Sequence, residues 1–255
     1  MIKYRDKEVG ERMIEKIEGI VVGERAYGET SKILDVFTKE YGIIGVMSKG
    51  CRKLKSDLRS VSTKMTYGYF HMYYKKDKLS TLIGVDVLDL FKNIKTDISK
   101  ISYASFLLEL AHGVYKHNDS EEIYIRLISA LEKIEAGFDA ALITDILELQ
   151  YLYYLGIMPI LDGCSICGNK SSIATLSSEK GGYVCNNCLE TEDIVSEKTI
   201  KLIRMLYYVD ITKISKLEIG SREKKEIGDF LDAYYDAYAG LYLKSKKFLR
   251  DLNKI

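Results

Sequence analysis

The sequence predicts an α+β protein of more than one domain, with a five-stranded β-barrel first and an all-helical domain carrying a four-cysteine zinc module after it. Three observations predict this. Short runs rich in Ile and Val, bounded by turn signals, occupy residues 17–88. From Thr96 onward apolar residues recur at three- and four-residue spacing. Four cysteines, Cys164, Cys167, Cys185 and Cys188, stand as C-x2-C-x17-C-x2-C.

The barrel strands follow in order. Ile17 to Val22, Ser31 to Thr38 and Ile43 to Ser48 are three β-rich runs separated by Tyr27-Gly28 and Tyr41-Gly42. Met65 to Tyr74 and Leu79 to Leu88 are two more, joined around Lys75-Lys76-Asp77-Lys78. Five short strands in so little chain suit a small Greek-key barrel, for which the OB-fold is the common solution. Residues 1–12 alternate charge without apolar periodicity and read as a mobile extension ahead of Met13 or as a misassigned start. The expected division is therefore an extension over 1–12, an OB-fold domain over 13–95 and a helical domain over 96–255, with a zinc hairpin at 160–190.

Between the third and fourth runs lies the most charged stretch of the chain. Lys49, Arg52, Lys53, Lys55, Arg59 and Lys64 face one acid, Asp57. A charge run is ordinarily a solvated surface, but a single-sign run on a barrel of this kind points to phosphate contact. The candidate DNA-binding residues are Lys49, Arg52, Lys53, Lys55 and Arg59, with Arg25 expected on the same face. Tyr27, Tyr41, Tyr67, Tyr69, Phe70, Tyr73 and Tyr74 offer either base-stacking faces or ordinary strand packing, since aromatic residues favour sheets in any case.

After Thr96, Ile98, Ile101, Ala104, Phe106, Leu107, Leu108 and Leu110 predict a helix, and Ser120 ahead of Glu121-Glu122-Ile123 predicts a capped second one. Ala140 to Leu155 is apolar nearly all round, as in a helix buried by its neighbours, and Gly156 and Pro159 stop it. Beyond the cysteines, Ile200 to Tyr207 predicts another helix. A last one, from about Ser221 through Tyr242, leads to Lys244, Lys246, Lys247 and Arg250. That basic tail either extends a nucleic-acid surface or complements a helix C-terminus.

Soft sulfur donors at CxxC spacing fit one structural zinc ion with four thiolate ligands, held on a small hairpin with a strand at Ile173 to Leu176 and a turn at Gly181-Gly182. Two disulfides, a redox pair or free thiols are the other readings. Disulfides need an oxidising compartment, and the first twenty residues are charged rather than the apolar stretch of a secretory signal. Four thiolates leave no open position for a catalytic water, so catalysis at the metal is disfavoured.

The net charge of +1 hides an asymmetry. The first 95 residues carry 19 Lys+Arg against 13 Asp+Glu, and the remainder carries 19 against 24. A basic front half on an acidic body suggests a polyanion-binding module with a scaffold behind it. No apolar run approaches the about 20 residues of a membrane helix, so the expectation is a cytoplasmic protein with no membrane partner. His71, His112 and His117 stand beside no nucleophile signature, and no Walker or dinucleotide loop is present, so no enzyme is expected. Cys51, between Gly50 and Arg52, is read as a bystander thiol.

Several segments together resemble the RecO family of bacterial recombination mediators. They are Gly19-Ile20-Val21-Val22, Tyr27 to Leu34, Phe37-Thr38, Tyr41-Gly42 and Lys49-Gly50 with its basic loop. Further on come Glu109-Leu110, Gly156 to Asp162, Cys164-x-x-Cys167-Gly168, Gly181-Gly182 ahead of Cys185-x-x-Cys188, and Lys244-Ser245-x-x-Phe248-Leu249. The likeness runs from about Met13 to near the end, and the charged extension before Met13 departs from it. It implies an OB-fold, a helical domain with a zinc module, and binding of single- and double-stranded DNA in DNA repair and recombination. It also implies annealing of complementary strands, and work with RecR to load RecA onto DNA coated by single-stranded-DNA-binding protein, at the nucleoid when on DNA. The complete quartet marks a zinc-bearing member. A zinc metalloenzyme and a structural zinc-containing adaptor without direct DNA binding are the competing readings.

Overall fold

The computed structural model describes residues 13–252, so the extension over 1–12 lies outside the described residues. Two compact units meet at Leu90/Phe91.

The first unit is built of β1 (Ile14–Tyr27), β2 (Ser31–Thr38), β3 (Gly42–Ser48), β4 (Tyr67–Tyr73) and β5 (Ser80–Asp89). They close a barrel in the order β1-β2-β3-β5-β4, the OB-fold arrangement. Every pairing is antiparallel except β3 with β5, where Val46 lies opposite Ser80 and Met47 opposite Thr81. Strict alternation along β4 turns Gly68, Phe70 and Met72 inward. Phe70 and Met72 join Ile17, Val21, Leu34, Val36, Val46 and Leu82 in the barrel core. At about 25 cal/mol per Å² of apolar surface, that cluster is the main source of the barrel's stability. β1 runs well past the Ile17 to Val22 stretch that apolar content marks. Its flanks, Glu15-Lys16 and Glu24-Arg25, pair with β4 and β2 through the backbone while their side chains face water.

The second unit begins with a short α1 (Lys92–Lys95) and continues through α2 (Ile98–Tyr115), α3 (Glu121–Glu135) and α4 (Ala140–Tyr154). A hairpin of β6 (Ile173–Ser177) and β7 (Gly182–Cys185) precedes α5 (Glu197–Tyr208), α6 (Ser221–Tyr238) and α7 (Lys244–Leu252). Side-chain caps start four of these helices. Asp97 accepts from Ser99 N and Lys100 N, Ser120 from Glu122 N, Asp139 from Leu142 N, and Ser196 from Thr199 N. The helix α4 is the axis of this unit and is buried from Leu142 to Leu152. Polar groups on it are satisfied by neighbours. Gln150 donates to Val209 O at 2.7 Å and accepts from Arg126 at 2.6 Å, Tyr151 OH donates to Ile123 O at 2.7 Å, and Tyr235 OH donates to Glu148 O at 2.9 Å.

The last helical stretch departs from the expectation. Rather than running through Tyr242, α6 ends at Tyr238, and Gly240 takes the left-handed conformation (φ 61°) that terminates helices. A separate α7 follows, started by a distant residue. The Glu109 carboxylate on α2 accepts from Lys244 N at 3.0 Å and Ser245 N at 2.9 Å, and also from the Ser245 hydroxyl. Two of the segments that carry the family resemblance thus meet across the fold. Lys246 does not serve as a free cation. It is 8% exposed and lies between Asp232 (3.2 Å) and Asp236 (3.4 Å). The side chains of Lys247 and Arg250 lie outside the described ones.

Candidate metal centre and nucleic-acid interface

Local sequence dictates how the four sulfurs converge. Pro159 follows the end of α4, and Ile160 forms a bridge beside β7, donating to Gly181 O and accepting from Tyr183 N at 2.9 Å each. That approach is possible because position 182 is glycine: a Cβ there would collide with the Ile160 backbone. The first CxxC then turns tightly, with Gly168 N donating to Cys164 O at 2.9 Å and Cys164 N to Asn169 O at 2.7 Å. Ser165 ties this turn to the hairpin, since its N–H and its hydroxyl both donate to Tyr183 O, at 2.8 and 3.0 Å. The second pair sits at the end of β7 and on the single 3-10 turn Asn186–Cys188.

The outcome is one cluster. The Sγ atoms of Cys164, Cys167, Cys185 and Cys188 all lie within 4.8 Å of one another, and Cys167 and Cys185 are 3.6 Å apart. All four are free thiols rather than disulfides. This is a donor set for one metal ion. Burial raises the Cys164 thiol, but the backbone N–H groups of Cys167, Cys185 and Ile166 outweigh it and bring the pKa down to about 6. Cys188, hydrogen-bonded to the neighbouring thiols of Cys167 and Cys185, is pushed up to about 12. Four sulfurs this close cannot all ionise without a cation among them, which is the electrostatic case for a metal.

Several residues that support this centre have no signature in the sequence. Lys180 reaches Cys188 O (3.3 Å), Glu190 (3.1 Å) and Glu192 (2.6 Å), pinning the second CxxC, and Lys180 in turn holds the Glu192 carboxyl down at about 2. Tyr183 OH donates to Ile200 O and docks the hairpin on α5. Asp162 accepts from Arg204 at 2.7 Å and from Tyr208 OH at 3.3 Å, and Arg204 holds its carboxyl below the usual range. A cavity of about 910 Å³ opens between the hairpin and α5, with Met205 and Tyr208 on its wall and Lys170, Lys201 and Arg204 among its lining.

The cationic stretch takes the opposite form. Residues 49–64 are successive turns rather than a helix, with Lys53 N bonded to Gly50 O, Ser56 N to Lys53 O and Arg59 N to Ser56 O. Its fixed points are these: Cys51 is 2% exposed, the buried Ser62 bonds Ser48 at 2.7 Å, and the half-buried Leu58 packs on the barrel core. Arg52 anchors it to the β1–β2 turn, its N–H donating to Thr30 O at 2.8 Å and its Nη1 to Gly28 O at 3.3 Å. Lys49, Arg52, Lys53, Lys55 and Arg59 are all exposed, and among the described residues none has a carboxylate partner. Arg25 is different. Its Nη1 donates to both carboxylate oxygens of Asp35 at 3.1 Å, so its charge is already answered. No helix among the described residues is long and apolar enough to cross a membrane.

Two family models match the chain, Recombination protein O N terminal over residues 13–91 and Recombination protein O C terminal over residues 95–247. Proteins named DNA repair protein RecO are similar along nearly the full length. The one from Listeria innocua serovar 6a is 33% identical over 245 residues, covering 94% of this chain and 96% of that protein. Its counterpart in Bacillus pumilus is 33% identical over 247 residues, with 95% and 96% covered. In Bacillus cytotoxicus the figures are 34% over 246 residues, with 95% and 99% covered.

Proposed function

The chain belongs to the recombination protein O (RecO) family, and on that premise we propose that it is a non-enzymatic DNA-binding recombination mediator in DNA repair. It anneals complementary strands and works in the cytoplasm, at the nucleoid, with RecR to load RecA onto DNA coated by single-stranded-DNA-binding protein. The observation that carries this reading is the set of five exposed cations, Lys49, Arg52, Lys53, Lys55 and Arg59, left without carboxylate partners on a closed OB-type barrel. Elsewhere Lys and Arg side chains commonly sit within 4 Å of an acid. Cations held apart from acids are available to phosphates, and each contact releases a counterion, so affinity falls steeply with salt. Backbone contacts position without specifying, so sequence preference is weak. Two strands held on one cationic surface repel each other less, which is how binding alone speeds annealing.

The barrel, over 13–95, is the DNA-binding domain in this reading, and the helical part over 96–255 is its scaffold. The ion is one structural zinc, held by Cys164, Cys167, Cys185 and Cys188. A Zn–S distance of about 2.3 Å gives a tetrahedral S···S edge of about 3.8 Å, which the 3.6 Å separation of Cys167 and Cys185 fits. For the apolar-acidic tail of single-stranded-DNA-binding protein we assign the cavity beside the hairpin, whose apolar wall and exposed Lys170, without a carboxylate partner among the described residues, match that chemistry, while Lys201 and Arg204 on its lining are already paired with Glu197 and Asp162.

The test is strand annealing. The purified chain is expected to speed pairing of complementary oligonucleotides without a nucleotide cofactor and, with RecR, to restore RecA filaments on coated single strands, while elemental analysis finds one zinc per chain. A folded, zinc-loaded chain that binds neither single- nor double-stranded DNA would overturn the reading in favour of a structural adaptor.

A further inference from the structure

Among the barrel aromatics, Phe37 and Phe70 are buried, Tyr67 OH bonds Glu18 at 2.8 Å, and Tyr69 lies under the Lys16 ammonium at 4.6 Å. Tyr41 and Tyr74 are arranged differently. Their rings stack with centroids 4.3 Å apart and an interplanar angle of 23°. Tyr74, partly buried, packs against the barrel core. Tyr41 lies above it, 43% exposed, with one face on Tyr74.

The Tyr41 ring is locked in place. Its hydroxyl donates to Glu15 at 3.0 Å, its backbone N–H donates to Thr38 Oγ1 at 3.0 Å, and that hydroxyl in turn donates to Gly42 O at 2.8 Å. An exposed aromatic plane with so little freedom left loses little entropy when a second plane stacks on it. The two turns that carry the pair are rich in lysine, while Glu15 and Glu40 lie close enough to raise the Tyr41 hydroxyl above its ordinary range. Lys39 precedes Tyr41 on the β2–β3 turn, and Lys75, Lys76 and Lys78 follow Tyr74 on the β4–β5 turn. That turn is fixed as well, by Lys75 N to Ser80 Oγ at 3.1 Å, Lys78 N to Lys75 O at 3.3 Å, and a left-handed Asp77. All four lysines are exposed, and none has a carboxylate partner among the described residues. The acids on the same segments are Glu15, taken by the Tyr41 hydroxyl, Glu40 and Asp77.

We propose that the outer face of Tyr41, backed by Tyr74 and carried on turns that also bear Lys39, Lys75, Lys76 and Lys78, is a second single-stranded DNA site that seats an unpaired base by stacking. It rests on the DNA-binding reading above and adds to it a place for bases as distinct from phosphates. The position supports the distinction. The cationic loop sits at the Tyr27 end of β1, where Arg52 meets Thr30, whereas Tyr41 bonds Glu15 at the other end. Stacking uses the face of a base and leaves its pairing edge open, so a strand held here stays competent to find its complement.

The test uses the full chain and four ligands: a single-stranded oligonucleotide, the same oligonucleotide with abasic sites, a duplex, and a single strand carrying 5-iodouracil. Tyr41→Ala is expected to weaken single-strand binding by about tenfold, the scale of one stacked base. It leaves duplex affinity unchanged and binds the abasic strand as the wild type does, while Tyr41→Phe, which keeps the ring and its stack on Tyr74 but loses the Glu15 bond, weakens single-strand binding by much less than the alanine variant. Illumination of the wild type with the iodouracil strand is expected to cross-link Tyr41, which holds even if the alanine variant is unstable. Equal single-strand affinity of Tyr41→Ala and wild type, or cross-links confined to residues outside 39–41 and 74–78, would overturn the second site and leave the DNA-binding reading standing. A wild type that binds no DNA would overturn both.

Discussion

The cysteine hairpin and the cationic loop are both irregular, turn-rich segments, and they treat their reactive groups in opposite ways. In the hairpin the cysteines and Lys180 are turned toward groups of the same protein: four sulfurs converge within 4.8 Å, and Lys180 bonds Cys188 O and two glutamates. The loop is anchored through Ser62, Cys51, Leu58 and Arg52, the last by its N–H and by one side-chain bond to Gly28 O, and it leaves five exposed cations without a carboxylate partner among the described residues. A site that answers its own charges is built for stability, and one that leaves them unanswered is built for a partner. Leu54, 85% exposed amid those cations, follows the same pattern.

This contrast can be broken from the hairpin side first. Cys185→Ala removes a buried ligand and is expected to cost more than about 4 kcal/mol, since loss of a metal belongs to the small class of severe lesions. Limited proteolysis should then cut within residues 160–195, while the barrel keeps its DNA affinity. Loss of both together would show that the two segments are not independent. Next in size is Glu109→Gln. It removes the charge from the carboxylate that starts α7 and is expected to cost about 1–2 kcal/mol, read as a lowered Tm. Asp145→Asn should act in the other direction. Burial, and then Glu148, push the Asp145 carboxyl well above the ordinary range, so the folded state holds a proton that the unfolded state releases above about pH 4. Stability is therefore lost as pH rises through that window. The asparagine variant should be more stable at pH 7 by about 1–2 kcal/mol, read as a raised Tm, with the gain vanishing at about pH 4. Smallest is the stability effect of reversing the loop charges. Lys49, Arg52, Lys53 and Arg59 to Glu should change stability by no more than about 0.5 kcal/mol per site, read as a small shift in Tm, because the one side-chain bond these residues make is that of Arg52 to Gly28 O.

What could be read from the chain follows from how local each signal is. The barrel strands were legible because alternation and Ile/Val content are properties of neighbours in sequence, as in β4. So were the caps at Ser120 and the CxxC pairs, whose chemistry lies within a few residues. The flanks of β1 were not, because Glu15, Lys16 and Glu24 face water and only backbone pairing makes them strand. The division between α6 and α7 depends on Glu109, more than a hundred residues away, and no periodicity reports it. Arg25 looked like a free cation beside the loop, and only the register of β1 against β2 reveals its bond to Asp35. Tyr41 and Tyr74 were visible as aromatics, but their stacking needed the closed barrel.

The measurement that tests the division of labour most directly is the salt dependence of single-stranded DNA binding, for the wild type and the variant with Lys49, Arg52, Lys53 and Arg59 changed to Glu. Each phosphate contact on a single strand contributes about 0.7 to the slope of log affinity against log salt. The account predicts a steep wild-type slope that falls by roughly 3 in a variant of unchanged Tm. Equal slopes in two equally stable proteins would contradict it, and would move the DNA surface off this loop.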